Sequence, residues 1–180
     1  LAHDAGARVI VDNVFATPLH QRPLQLGADI VVYSATKHID GQGRVLGGAI
    51  LGRRGYIRGE VEPLIRHTGP SMSPFSAWVL GKSLETLRLR VEHQCASALR
   101  IAEWLESRPQ IASVRYPTLP SHPQHDLAAR QMSAGGTVIT MRLASEAPVA
   151  KRMAFAMLDA LQIIDISNNL GDAKSLITHP

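Results

Sequence analysis

The chain has 180 residues, of which 45% are hydrophobic and 19% charged, with 19 basic and 15 acidic side chains giving a net charge of +4. This is the balance of a globular protein and excludes a disordered one, and the uncharged apolar runs are strand-sized, too short to cross a membrane as helices. The excess of base raises nucleic-acid binding, but the arginines are spread from Arg8 to Arg152, aromatic residues are only 4%, and no recognition motif is present, so no nucleic-acid partner is expected.

In chain order, the opening LAHDAGARVIVDN starts in mid-pattern, as if a helix ran into a strand, and is expected to continue from an upstream segment. ARVIVDN (7–13) predicts a short strand buried on both faces and ending in polar residues. TPLHQRPLQLGA (17–28) has helical spacing after Pro18, with Gly27 as C-cap. DIVVYSA (29–35) and GGAILG (47–52) read as further strands, and the alternation argues an α/β layer with a mainly parallel sheet. RGYIRGEVEPLIRHTG (54–69) predicts a helix broken near Pro63. Ser73 as N-cap and Pro74 at the first helical position open a helical pattern that runs to Ser107, long enough to accommodate a kink. After IASVRYP (111–117) and a loop rich in Pro and His come a helix near 124–132, a strand over 136–143, a helix over 146–160 and a strand over 161–167. The division expected is a cofactor-type layer over 1–95 and a second α/β unit, unfinished, over 96–180.

Cys95 is the single cysteine, which rules out an internal disulfide and fits a reducing, cytoplasmic setting. Its apolar-periodic surroundings make it a buried small residue rather than a reactive thiol.

The chemistry concentrates in VVYSATKHIDGQGRVLGG (31–48). Only Lys37, Lys82, Lys151 and Lys174 are lysines, the other basic residues being arginine, so a lysine beside Ser34 and Thr36 is not an ordinary solubilising charge. A lysine directly after a buried strand can be desolvated, which an amine nucleophile requires. Ligand sites of α/β sheets lie beyond the carboxyl ends of strands, where Ser34, Thr36 and Lys37 fall and where Asp12 and Asn13 end the neighbouring strand. An amine, two hydroxyls suited to phosphate and a carboxylate suited to a pyridinium nitrogen match what pyridoxal phosphate needs. A surface turn with an incidental lysine and a capping aspartate accounts for the same residues, and both readings are open on the residues alone.

VDNVFATP followed by YSATKHIDGQGRVLGG resembles the cofactor-binding core of the Cys/Met-metabolism family of pyridoxal-phosphate enzymes, of fold type I. The likeness continues through HTGPSMSPFSAWVLGKSLETL, YPTLPSHPQHDLAARQMSAGGT and SNNLGDAKSLITHP, covering essentially the whole chain. The resemblance implies a three-layer αβα large domain, present as its C-terminal half, followed by part of the smaller C-terminal α/β domain. It implies that Lys37 carries the cofactor, that Asp12 pairs with the ring nitrogen and that Ser34 and Thr36 hold the phosphate. Asn168-Asn169 before Leu170-Gly171-Asp172, and Val14 after Asp-Asn, depart from the Ser and Thr usual in the lyases and cystathionine synthases. They lean toward the branch that forms homocysteine from O-succinylhomoserine and sulfide, with Asn169 touching the substrate carboxylate. A cystathionine γ-synthase, an O-acetylhomoserine-using relative, a γ-lyase or a truncated non-catalytic chain are the alternatives. The partners implied are a homoserine ester, sulfide and further copies of the chain in a tetramer built of dimers.

Other motifs have simpler explanations. GQGRVLGG spaces its glycines G-x-G-x-x-x-G after a loop, unlike a dinucleotide fingerprint, and is expected to supply positive φ and close backbone approach. His122 and His125 lack a ligand set, so no metal is expected. Ser71, Ser73 and Ser76 serve helix entry, and His38 is assigned a supporting or surface place.

Overall fold

A computed structural model describes residues 1–180. The first sheet holds three strands, β1 (Ile10–Asp12), β2 (Ile30–Ser34) and β3 (Gly48–Gly52), in that order. β1 runs parallel to β2, with Asp12 opposite Val32, whereas β3 runs antiparallel, with Ser34 opposite Gly48. The mainly parallel sheet expected from the strand pattern is thus only half realised. A parallel partner needs a crossover, usually helical. Residues 35–47 instead form one helical turn and a glycine loop, then return along the same edge.

β2 is the buried strand, with Ile30, Val31 and Tyr33 all inside. β1 departs from expectation: it lies at the sheet edge, and Ile10 is 62% exposed. Between them the predicted helix over 17–28 divides into α1 (Thr17–His20) and a 3₁₀ turn (Pro23–Leu26), because Gln21 is extended and Pro23 starts the second piece. Gly27 closes that turn with φ 99°, as its C-cap position requires.

α2 (Arg54–Tyr56), a π-helical turn (Ile57–Val61) and α3 (Glu62–Thr68) follow one another without a gap. Proline lacks an N–H and its ring crowds the carbonyl four residues back. The break expected near Pro63 is absorbed by the wider π turn just before it. Ser73 caps α4 (Pro74–Leu84), its Oγ accepting from Ser76 N at 3.1 Å. The helix restarts as α5 (Leu87–Glu106), so the kink falls at Glu85–Thr86.

α5 turns Leu87, Val91, Cys95, Ala98 and Ala102 inward, a spacing of four, four, three and four that keeps one stripe of the helix apolar. Its first half packs with Leu19 and Ala134, its second with Val114, Tyr116 and Leu119. β4 (Ile111–Arg115) pairs antiparallel with β5 (Thr140–Leu143), flanked by α6 (His125–Gln131) and α7 (Val149–Asp159). The strand expected over 136–143 is confined to its second half. The one over 161–167 reduces to β6 (Asp165–Ile166), parallel to β7 (Leu176–Ile177). No helix is long and apolar enough to cross a membrane.

Asn13 fixes the first sheet to α1. Its Nδ2 lies 3.1 Å from Thr17 O, 3.0 Å from Gln21 O and 2.9 Å from Tyr33 Oη, sharing its two hydrogens among these three oxygens from a site only 2% exposed. Thr17 is buried with φ 62°, a left-handed conformation that a β-branched residue keeps only where its surroundings impose it. Asn13→Ala removes the donor shared by these oxygens and leaves Thr17 O only its bond from Gln21 N, so a loss of about 1 to 3 kcal/mol is expected. Urea unfolding of the two proteins checks this as a lower midpoint at unchanged slope.

Candidate functional site

β1 and β2 end side by side, so Asp12 and Ser34 stand at the same edge of the sheet. Asp12 Oδ1 accepts from Val14 N at 3.1 Å, turning the chain at the strand end. β2 runs directly into a π-helical turn, Ala35–Ile39, which holds Thr36, Lys37 and His38. Lys37 breaks that turn, with φ −85° and ψ −122°. The Thr36 hydroxyl accepts from Gly47 N at 3.0 Å, so it is engaged in fastening the turn to the start of β3.

Asn169, 132 residues further along, meets this edge: Lys37 Nζ donates to its Oδ1 at 2.7 Å. The structure thereby joins Lys37 and Asn169 directly. Asn13, in contrast, faces inward and braces the fold.

Several residues that hold the site do not stand out in the sequence. Asp40 is 1% exposed, its carboxylate accepting from Arg44 N (2.6 Å) and Arg44 Nε (3.0 Å), while the same guanidinium donates to Ser83 Oγ at 2.6 Å. Arg90 of α5 donates to His38 O (2.8 Å), Ile39 O (3.2 Å) and Ser83 O (3.0 Å). Gly41, with φ 73°, lies so close to the Arg90 guanidinium that a Cβ there would stand 2.0 Å from Nη1. Gly41 and Gly43 thus supply the positive φ expected of the glycine loop. The Asp40–Arg44 pair, at helical i,i+4 spacing just past Lys37, was the available signal in the sequence.

His38 is buried, at 2% exposure, so of the supporting or surface place expected for it the surface one does not hold. Its Nε2 shares a 2.7 Å hydrogen bond with Thr137 Oγ1, while Nδ1 is enclosed beside the Val14 backbone without a hydrogen bond of good geometry. Burial pushes the ring down to about 4, helped by the positive charge of Arg90 and opposed by the Val14 backbone. Cys95 is buried as expected, which pushes its thiol up to about 11 and leaves it inert. In the His-rich loop, His122 Nδ1 accepts from Gln124 N and His125 Nδ1 contacts Leu119 O, and no cluster of potential metal ligands is present.

An amine, a carboxylate and hydroxyls at adjoining strand ends fit a group with an aldehyde, a ring nitrogen and a phosphate. The profile described as "Cys/Met metabolism PLP-dependent enzyme" matches residues 1–180. The chain belongs to the Cys/Met-metabolism family of pyridoxal-phosphate-dependent enzymes. Its mixed α/β architecture is that of the family's fold type I members. It is 67% identical over 180 residues to an O-succinylhomoserine sulfhydrylase of Mycobacterium tuberculosis, covering 100% of this chain and 44% of that protein. It is 49% identical to an O-succinylhomoserine sulfhydrylase of Pseudomonas aeruginosa, covering 100% of this chain and 43% of that one. Among solved structures, cystathionine γ-synthase from Xanthomonas oryzae pv. oryzae in complex with aminoacrylate and cysteine superposes with a TM-score of 0.93 at 35% identity, over 99% of this chain and 45% of that one. The chain therefore spans less than half the length of these family members.

His38 gives the site a pH signature. Between about 6.5 and 4 the unfolded chain binds a proton at this residue and the folded chain does not, so stability falls as pH drops through that window and levels below it. The loss is on the order of 3 kcal/mol. His38→Phe is expected to flatten that part of the stability curve, which denaturation at a series of pH values measures.

Proposed function

We propose that the chain carries the Lys37 side of the active site of an O-succinylhomoserine sulfhydrylase, which replaces the succinyloxy group at Cγ of O-succinylhomoserine by sulfide and yields homocysteine and succinate. The observation that carries this reading is the 2.7 Å hydrogen bond from Lys37 Nζ to Asn169 Oδ1, which singles out one lysine of four, on the turn that follows Ser34 at the carboxyl end of β2. The choice within the family is supported by the names of the relatives at 67% and 49% identity.

When bound, pyridoxal phosphate supplies an aldehyde for amines and a ring that takes up electrons as protons leave substrate carbons. The chain's own residues would do the rest. Lys37 Nζ provides the amine that holds the cofactor and, once displaced by the substrate amine, the base that moves protons between Cα and Cβ. An amide oxygen can only accept, so Asn169 Oδ1 holds one N–H of that amine and fixes where Nζ stands. Asp12 would accept the proton of a ring nitrogen. Ser34 would donate to the phosphate, with Thr36 holding the turn closed through Gly47 in addition to its expected phosphate contact. The division of the chain proposed for this enzyme, near residue 95, is supported by the change of packing partners along α5 between Cys95 and Ala98.

A cystathionine γ-synthase is the second reading, favoured by the close superposition on that enzyme. Supplying the full-length protein with O-succinylhomoserine and either sulfide or cysteine separates them: homocysteine from sulfide in preference to cystathionine from cysteine is expected. Borohydride reduction after loading with pyridoxal phosphate, followed by peptide mapping, tests the site itself. One pyridoxyl adduct on Lys37 is expected, lost in Lys37→Ala. Equal labelling of Lys82, Lys151 and Lys174 would sink the assignment.

A further inference from the structure

We propose that His38 is a positioning residue for Lys37: its buried ring, held between Thr137 and the turn at Gly171, sets the reach from Lys37 Nζ to Asn169. The inference rests on the reading that Lys37 carries the cofactor.

Three contacts make His38 a spacer. The ring is fixed at its far end by the 2.7 Å hydrogen bond between Nε2 and Thr137 Oγ1, which reaches across 99 residues. Its near end is fixed by Arg90, which donates to the His38 carbonyl at 2.8 Å from α5. Between the two, the turn that follows Asn169 rests directly on the residue. A Cβ at Gly171, which has φ 73°, would lie 2.6 Å from His38 N, 2.7 Å from its Cγ and 2.9 Å from its Cα. Just after Gly171 the same turn is tied down by Ala173 N donating to Gly41 O (2.8 Å) and by Gln94 Nε2 donating to Asp172 O (2.8 Å).

Lys37 and His38 are consecutive, and the non-helical backbone at Lys37 sends their side chains apart. Lys37 reaches Asn169, and His38 supports Gly171 two residues beyond it. Gly171 thus rests on the His38 backbone and on the root of its side chain, so where His38 is held fixes how far the Asn169 segment stands from the lysine. Releasing the His38 side chain from Thr137 lets that segment settle and loosens the Nζ to Oδ1 contact. The neutral state of the ring suits this part, since a charged imidazole here would face the Arg90 guanidinium and His20.

The test uses the full-length chain and four variants: His38→Phe, His38→Gln, Thr137→Val and Thr137→Ser. The readouts are the rate at which a borohydride-trappable adduct forms on Lys37 per folded molecule, and the visible absorption band of the cofactor-loaded protein. Thr137→Val and His38→Phe are expected to slow adduct formation by about fivefold to tenfold, the loss of one hydrogen bond's worth of positioning, and to shift the band. Thr137→Ser and His38→Gln, which keep a hydrogen-bonding pair, are expected to stay within about twofold of the parent. Should His38→Phe fail to fold, the Thr137 pair decides, because valine matches threonine in shape. An adduct on Lys37 that forms at the parent rate in Thr137→Val, with an unmoved band, overturns this proposal alone. A parent chain with no Lys37 adduct overturns it together with the reading beneath it.

Discussion

The arrangement depends on what is done with the carbonyl groups of the turn that follows β2. A short helical turn ends with backbone acceptors that have no partner inside it, and here they are largely enclosed. Arg90 meets three of the local acceptors with one guanidinium, at His38, Ile39 and Ser83. A planar fork with several donors can do this, and a lysine's point charge could not hold all three. The clamp joins the sheet edge to the break between α4 and α5, and Asp40 with Arg44 completes it from the other side. Lys37 is therefore carried on a backbone fastened at both ends, and its amine is held in turn by Asn169.

The sequence already shows the pieces of this design, less so its assembly. Ser73 and Pro74 start a helix where their types require one, and Gly27 ends one. The buried strand at 30–34 and the lysine after it are legible because an apolar run ending in hydroxyls and a rare lysine is an unusual local pattern. The direction of β3 was not legible, since strand propensity says nothing about which way the chain returns. The exposed outer face of β1 has the same cause: an apolar run records that a face should be covered, and covering is supplied by other segments. The burial of His38 is not legible, because nothing local distinguishes a buried histidine from a surface one. What buries it comes from Arg90, Thr137 and Gly171, far away in the chain.

The helix α5 links the two halves of the molecule through a change of neighbours along a single apolar stripe. Its first turns belong to a cluster around Leu87, Val91 and Cys95, its later turns to one around Tyr116 and Leu119. Tyr116 sits near the junction and donates to Gly136 O at 2.9 Å, one residue before the Thr137 that holds His38. Packing in the second cluster thus reaches the lysine turn through two consecutive residues of one segment.

The pairing of Lys37 with Asn169 across 132 residues also sets a clock. A ribosome adding residues at about 5 to 20 per second needs roughly 7 to 26 s between the two. Through that interval the strand-end amine is already made while its acceptor is not. A newly begun chain therefore passes through a stage in which the lysine is present without the amide that orients it.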